Sequence, residues 1–285
     1  MSYLDRIAVC RHWDPEAYRP FAIDGATLGR VAHGFARRLE AYPEVFAVSD
    51  RAVTLAPELG DFETRSAAVR EVLLKLKAQG EIPLWRDEDY PVLRRWGDPP
   101  VLKMERAAVP HFGVRSFGVH LNGLVRGADG LKLWVAKRAR DKQTAPGKLD
   151  HIVAGGQPYG LGVAENLIKE AREEAGIPAA LAATAVPVGA VSYRCERPEG
   201  LRDDVLFCYD LDLPEDFTPV NEDGEVESFA LWPMDQVLAR IRDTDDFKFN
   251  VNLVILDLAL RRGLIAPDDP DHQKIWEGLR LLEDA

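Results

Sequence analysis

Apolar residues recur at helical steps in some stretches of this chain and alternate at strand steps in others. From Leu28 to Tyr42, Val31, Phe35 and Leu39 fall on one side, which predicts a helix broken at Tyr42-Pro43. Phe46-Ala47-Val48 and Ala52-Val53-Thr54-Leu55 flank Ser49-Asp50-Arg51 and predict a hairpin. A second helix opens at Thr64-Arg65-Ser66, with Val69, Val72, Leu73 and Leu76 marking its face and Gly80 its end. Pro83 to Val92 reads as irregular. Prolines cluster from Asp98-Pro99-Pro100 to Pro110 and the helical period lapses, which sets an expected boundary between residues 1–110 and 111–285.

Beyond that boundary the pattern turns to strands. Phe112 to Val125 predicts a strand pair turning at Asn122-Gly123. Leu131 to Arg138, Ile152 to Ala154, Ala185 to Tyr193 and Asp204 to Leu213 read as strands, and Arg194 to Gly200 as a turn-rich link. An acidic turn from Asn221 to Glu227 leads into an alternating strand ending at Trp232. Helices are expected from Met234 to Arg242 and Val251 to Leu260. A last one should pack Ile275, Trp276, Leu279 and Leu282 back onto the core.

The stretch from Gly155 to Ile177 differs from the rest. A glycine-rich loop feeds a helix whose apolar face is Ala164, Leu167, Ile168, Ala171 and Ala175. Gly176 and Pro178 stop it. Glu170, Glu173 and Glu174 stand three and four residues apart, so their carboxylates share one side near the helix C-terminus, where the macrodipole disfavours them. A solvated acidic face is one reading. A cation site is the other, because a divalent ion removes the repulsion, and hard oxygen ligands suit Mg²⁺ or Mn²⁺. Gly155 and Gly156 would let the backbone approach ligands closely. Upstream, Lys137, Arg138, Arg140, Lys142 and Lys148 form a basic loop that suits adjacent phosphates unless it is merely solvated surface.

Composition narrows the options. The 285 residues are comfortable for two domains, and a formal net charge of -11 argues against sequence-independent nucleic-acid binding, though not against a small anionic substrate. The three cysteines, Cys10, Cys195 and Cys208, are too few and too scattered for a disulfide framework or zinc motif. Met1 to Cys10 has no long apolar run, and the expectation is a cytosolic protein without a membrane partner, monomer or homodimer being open.

The stretch from Gly155 to Ile177 resembles the Nudix box, G-x5-E-x7-R-E-U-x-E-E-x-G-U with U aliphatic. Gly155, Glu170, Glu173, Glu174, Gly176 and Ile177 match, and Ala171 is a small U. Leu161 stands where the family has Glu, and Lys169 where it has Arg. Those two side chains pair in the family, so their joint replacement strands no charge. Glu165 and Lys169 are spaced to supply a substitute pair. The resemblance implies an α/β fold, the Nudix α/β/α sandwich with a mixed sheet, here preceded by a small α+β N-terminal domain. It implies hydrolysis of a diphosphate linkage with Mg²⁺ or Mn²⁺ held by Glu170, Glu173 and Glu174, and with Lys137, Arg138, Lys148, Gly155 and Gly156 around the substrate. The base would be a box glutamate or a downstream acid, Glu225 or Glu227.

The flanks, among them Pro146-Gly147-Lys148-Leu149-Asp150, Tyr209 to Pro214 and Asp223-Gly224-Glu225-Val226, are similar to the Nudix subfamily associated with thiamine pyrophosphokinase. That implies thiamine diphosphate, or its oxidised and damaged forms, as substrate. Trp85, Trp96, Tyr193 or Phe247 would then wall the ring. The alternatives are a sugar- or nucleoside-diphosphate hydrolase, an isopentenyl diphosphate isomerase using Cys195, and a non-catalytic binding module.

Overall fold

The computed structural model describes residues 2–142, 144–222 and 224–280. Asp223 of the acidic turn and Leu282 of the C-terminal helix therefore lie outside the described residues. The chain opens with α1 (Tyr3–Val9), whose first turn is held by Ser2 and Asp5 in a reciprocal cap. A four-stranded sheet follows, made of β1 (Tyr18–Ile23), β2 (Ala26–Ala32), β3 (Phe46–Val48) and β4 (Val53–Leu55) in the order β2-β1-β4-β3. Between β2 and β3 lies α2 (His33–Leu39). The helix expected from Leu28 is thus a strand for its first third. β1 and β2 pair through the Asp24-Gly25 turn, and that pairing claims the residues up to Ala32 before the helical period can act.

The second helix, α3 (Phe62–Ala78), starts earlier than Thr64, because the Asp61 carboxylate accepts from Thr64 N at 2.8 Å and caps it. The segment read as irregular contains β5 (Asp89–Val92), which pairs with β6 (Leu102–Glu105), and α4 (Val109–Phe112) closes this part. Its core gathers Phe21, Leu39, Phe46, Leu73, Leu76 and Phe112.

The second sheet has seven strands: β7 (Arg115–Gly127), β8 (Gly130–Arg138), β9 (Leu149–His151), β10 (Val153–Gly156), then β11 (Val186–Arg197), β12 (Gly200–Asp212) and β13 (Val226–Pro233). The order is β11-β12-β7-β8-β13, with β10 on β7 and β9 on β8. β7 runs parallel to β12 and antiparallel to β10 and β8, so the sheet is mixed. Helices α5 (Val163–Ala175) and α6 (Ala179–Ala182) bear on one core, with Val119, Leu121, Val153, Leu167 and Ala171 buried together. Helices α7 (Met234–Asp243), α8 (Val251–Arg261) and α9 (His272–Gly278) form the other, over Val135, Val191 and Leu206. The result is the expected α/β/α sandwich. α1 leaves its neighbours in sequence and joins this layer: Ile7 and Cys10 bury there, and Arg6 Nε donates to Ile241 O at 2.7 Å.

Asn122-Gly123 is not a turn. Both residues lie mid-strand in β7, whose hairpin partner begins after Ala128-Asp129. Asn122 is fully buried and donates to Asp210 at 2.9 Å, and a Cβ on Gly123 would sit 2.8 Å from Ile152 Cγ2. The pair that usually bends a hairpin here serves packing between sheet and loop. Likewise β11 and β12 run on to a two-residue turn at Pro198-Glu199 instead of a longer link. Ile275 and Leu279 pack back as expected, whereas Trp276 is exposed.

Candidate active site

The glycine loop and α5 are held together by their own side chains. Glu165 accepts from Gly162 N at 3.0 Å and caps the helix, and Gln157 donates to Leu161 O across the loop. With Leu167, Ala171 and Ala175 buried on the sheet, Glu170 and Glu174 turn toward β10. Glu174 is 8 % exposed and accepts from Ala154 N at 2.7 Å. Glu170 lies across Gly155, where a Cβ would come 2.5 Å from its Cδ. Glu173 points outward. Lys169 does not pair with Glu165; its Nζ lies 3.1 Å from Glu170 and 2.6 Å from Glu173.

Burial pushes the Glu174 carboxyl well above the usual carboxylate range. The bond from Ala154 only partly offsets this, and Glu170, Asp150 and Glu225 push it higher still. Burial also raises Glu170, and Lys169 offsets part of that. A buried carboxylate, Glu174, and a partly buried one, Glu170, with like-charged neighbours and hard oxygen donors fit a divalent cation, which would compensate the charge that burial now penalises. Glu170 and Glu174 would hold it, with Glu173 joining if Lys169 moves aside.

The described residues whose ligand atoms already converge, within 4.8 Å, are His120, Asp150 and His151. That cluster is differently made. Asp150 is engaged by Arg138 at 2.7 Å and Lys248 at 3.6 Å. Burial raises its carboxyl, but these two cations outweigh that and hold it far below the usual range. A metal would enter beside two fixed positive charges. The histidines share one N–H···N bond, Nδ1 to Nδ1 at 3.0 Å, and both are pushed down by burial, His151 to about 4 and His120 well below its ordinary value.

This pair gives a stability signature. Unfolded histidine takes a proton near pH 6.5, whereas the folded pair resists it, so stability falls as pH drops from about 7 toward 4. Asp150 and Asp210 favour protonation of His151, but Lys248 and burial oppose it and win. At pH 5 the shift of His151 alone should cost about 2 kcal/mol relative to pH 7, and His120 adds to it in the same direction. Denaturant midpoints at the two pH values should differ less in His120→Asn/His151→Asn; an unchanged difference would remove the pair as its source.

Beside the glycine loop is a cavity of about 560 Å³. Tyr90, Arg106 and Val109 line it together with Phe117, Lys248 and Phe249. The basic loop predicted from the sequence largely misses it. Lys137 pairs with Glu227 at 2.8 Å, Arg138 is engaged by Asp150 and Thr144 O, and Lys148 donates to Asp245 O. Glu227 also lies 3.5 Å from Arg140. Glu225 is ion-paired with Lys142, which outweighs burial and lowers its carboxyl, yet it is close enough to raise Glu174.

The aromatic wall is also different. Tyr193 is fully buried and donates to Asp204, Phe247 belongs to the core, Trp85 donates to Asp87 at 2.7 Å, and Trp96 packs on Phe117 from outside the cavity. Cys195 is fully buried, its thiol pushed up to about 11 by burial, so it offers no reactive thiolate. The cationic lining that sequence reading missed is Arg86, Arg106, Arg197, Arg202 and Lys248. Lys248, a lone charge between two phenylalanines, carried a weak signal; Arg106 carried none.

Two family profiles match the chain: a domain of unknown function (DUF4743) over residues 2–116 and the NUDIX domain over residues 118–252. Nudix hydrolase 24, chloroplastic, of Arabidopsis thaliana is 45% identical over 264 residues, covering 92% of this chain and 72% of its own. The chain belongs to the Nudix hydrolase family. Nudix hydrolase 20, chloroplastic, from the same plant is 44% identical over 271 residues with the same coverage, 92% and 72%. The uncharacterized protein YJR142W of Saccharomyces cerevisiae is 31% identical over 248 residues, 81% of this chain and 71% of its own. The protein is therefore a hydrolase of diphosphate linkages, with an N-terminal domain ahead of its Nudix domain. Among the described residues, no helix is long and apolar enough to cross a membrane.

Proposed function

We propose that this Nudix hydrolase cleaves thiamine diphosphate, or oxidised and damaged forms of it, to the monophosphate, using Mg²⁺ or Mn²⁺ at Glu170, Glu173 and Glu174. The observation that carries the reading is the junction of the buried Glu174 and partly buried Glu170 carboxylates with the cavity. Ala154, Gly155 and Gly156 line that cavity directly behind them. A bound cation would neutralise the diphosphate and acidify a water. The chain's own residues do the rest. Ala154 N fixes the Glu174 carboxylate, Gly155 admits Glu170 alongside the strand, and Lys248 and Arg202 offer positive charge to the phosphates. Phe117 and Phe249 present apolar rings to the heterocycle, which the four aromatics named from sequence do not. Glu225 and Glu227 would each have to leave an ion pair to accept a proton from water. Support for the thiamine compounds comes from the motif resemblance and from a cavity of sufficient size.

The test is a panel of thiamine diphosphate, oxothiamine diphosphate, ADP-ribose and UDP-glucose with Mg²⁺. The thiamine compounds should lead in kcat/KM by about tenfold or more. A lead for the sugar or nucleoside compounds would replace this reading with the broader alternative.

A further inference from the structure

One wall of the cavity comes from outside the Nudix domain. The β5–β6 hairpin and the residues after it carry Tyr90 and Arg106 to the glycine loop, and their approach is close. A Cβ on Gly156 would lie 2.8 Å from Tyr90 Cζ, closer still to its hydroxyl, and 3.5 Å from Arg106 Nη2. The same domain grips the loop further on, where Asp89 O accepts from Tyr159 N at 2.8 Å and the Phe62 and Tyr159 rings stack at 5.3 Å.

Arg106 is held from behind. Its Nη1 pairs with Glu88 at 2.8 Å, its backbone N donates to Glu88 O at 2.8 Å, and its guanidinium lies 5.5 Å from the Tyr90 ring centre. Nη2 has no hydrogen-bond partner among the described residues. A latch between hairpin strands needs only the Glu88 edge. Here the opposite edge of a planar donor fork is left facing the glycine loop and Glu170, where a phosphoanhydride must lie if the α5 carboxylates are to act on it.

We infer that Arg106 binds the diphosphate of the substrate, so that the N-terminal domain supplies a binding residue to the hydrolase site. The inference rests on the diphosphatase reading above. The domain of unknown function thereby gains a definite role, in which Tyr90 and Asp89 position the loop and Arg106 binds the anion in the cavity that Lys248 also lines. The same arrangement accounts for Gly156, whose missing side chain makes room for Tyr90 and not for a metal.

Calorimetric titration of the full chain with methylenediphosphonate and Mg²⁺ tests this without turnover. Arg106→Ala should weaken binding about tenfold or more, and Arg106→Lys, which keeps the charge but loses the fork, about threefold or more. Arg38→Ala, on α2 and outside the cavity, should bind as the unsubstituted chain does. With the preferred substrate of the panel, Arg106→Ala should raise KM far more than it lowers kcat. If the alanine variant fails to fold, the lysine variant decides. Binding within twofold of the unsubstituted chain in the folded Arg106 variant overturns the inference alone. Absence of saturable binding by the unsubstituted chain overturns the diphosphatase reading with it.

Discussion

Glu174→Gln should lower kcat on the order of a hundredfold or more while making the metal-free protein harder to melt. The two effects have one cause. Glu174 is buried, its carboxyl is pushed well above the ordinary range, and its neighbours Glu170, Asp150 and Glu225 are acidic. Glutamine keeps the shape and the bond accepted from Ala154 N but removes the charge that burial penalises. A carboxylate whose charged form burial disfavours until a cation compensates it suits a metal ligand and not a structural role. Kinetics with Mg²⁺ and thermal melts in EDTA read the two halves. Near-normal kcat, or a large drop in melting temperature without metal, would assign Glu174 to structure. Glu173→Gln should do less, because Glu173 faces outward and pairs with Lys169.

Gly155→Ala should cost nearly as much activity. Its new Cβ would stand 2.5 Å from Glu170 Cδ, so the carboxylate must leave the strand edge it now crosses. Gly156→Ala presses on the Tyr90 ring instead, 2.8 Å from Cζ, and should destabilise by about 1–3 kcal/mol. The two glycines can be told apart in combination. Tyr90→Ala should recover part of the stability lost in Gly156→Ala and none of the activity lost in Gly155→Ala, with denaturant midpoints and kcat as readouts. Additive behaviour of Gly156→Ala and Tyr90→Ala would show that the domains do not press on each other there.

How far the sequence could reveal this is clear from particular residues. The box helix was legible because cap, loop, apolar face and stop all agree locally between Gly155 and Gly176. Asn122-Gly123 misled because a turn signal is local, whereas the Asp210 carboxylate and the Ile152 side chain that occupy those positions arrive from elsewhere. The helix expected from Leu28 failed for a similar reason, strand pairing overriding period. The basic loop looked like a phosphate site by composition, but Asp150, Glu225 and Glu227 neutralise most of it on the spot. Part of the cavity was invisible because Tyr90 and Arg106 reach it only through the docking of one domain on another.

The carboxylates of α5, and not the convergent histidine cluster, should hold the working cation. Titration with Mn²⁺ followed by electron paramagnetic resonance decides it. Binding should persist in His120→Asn/His151→Asn and be lost in Glu170→Gln/Glu174→Gln. Retention by the glutamate variant with loss in the histidine variant would contradict the account.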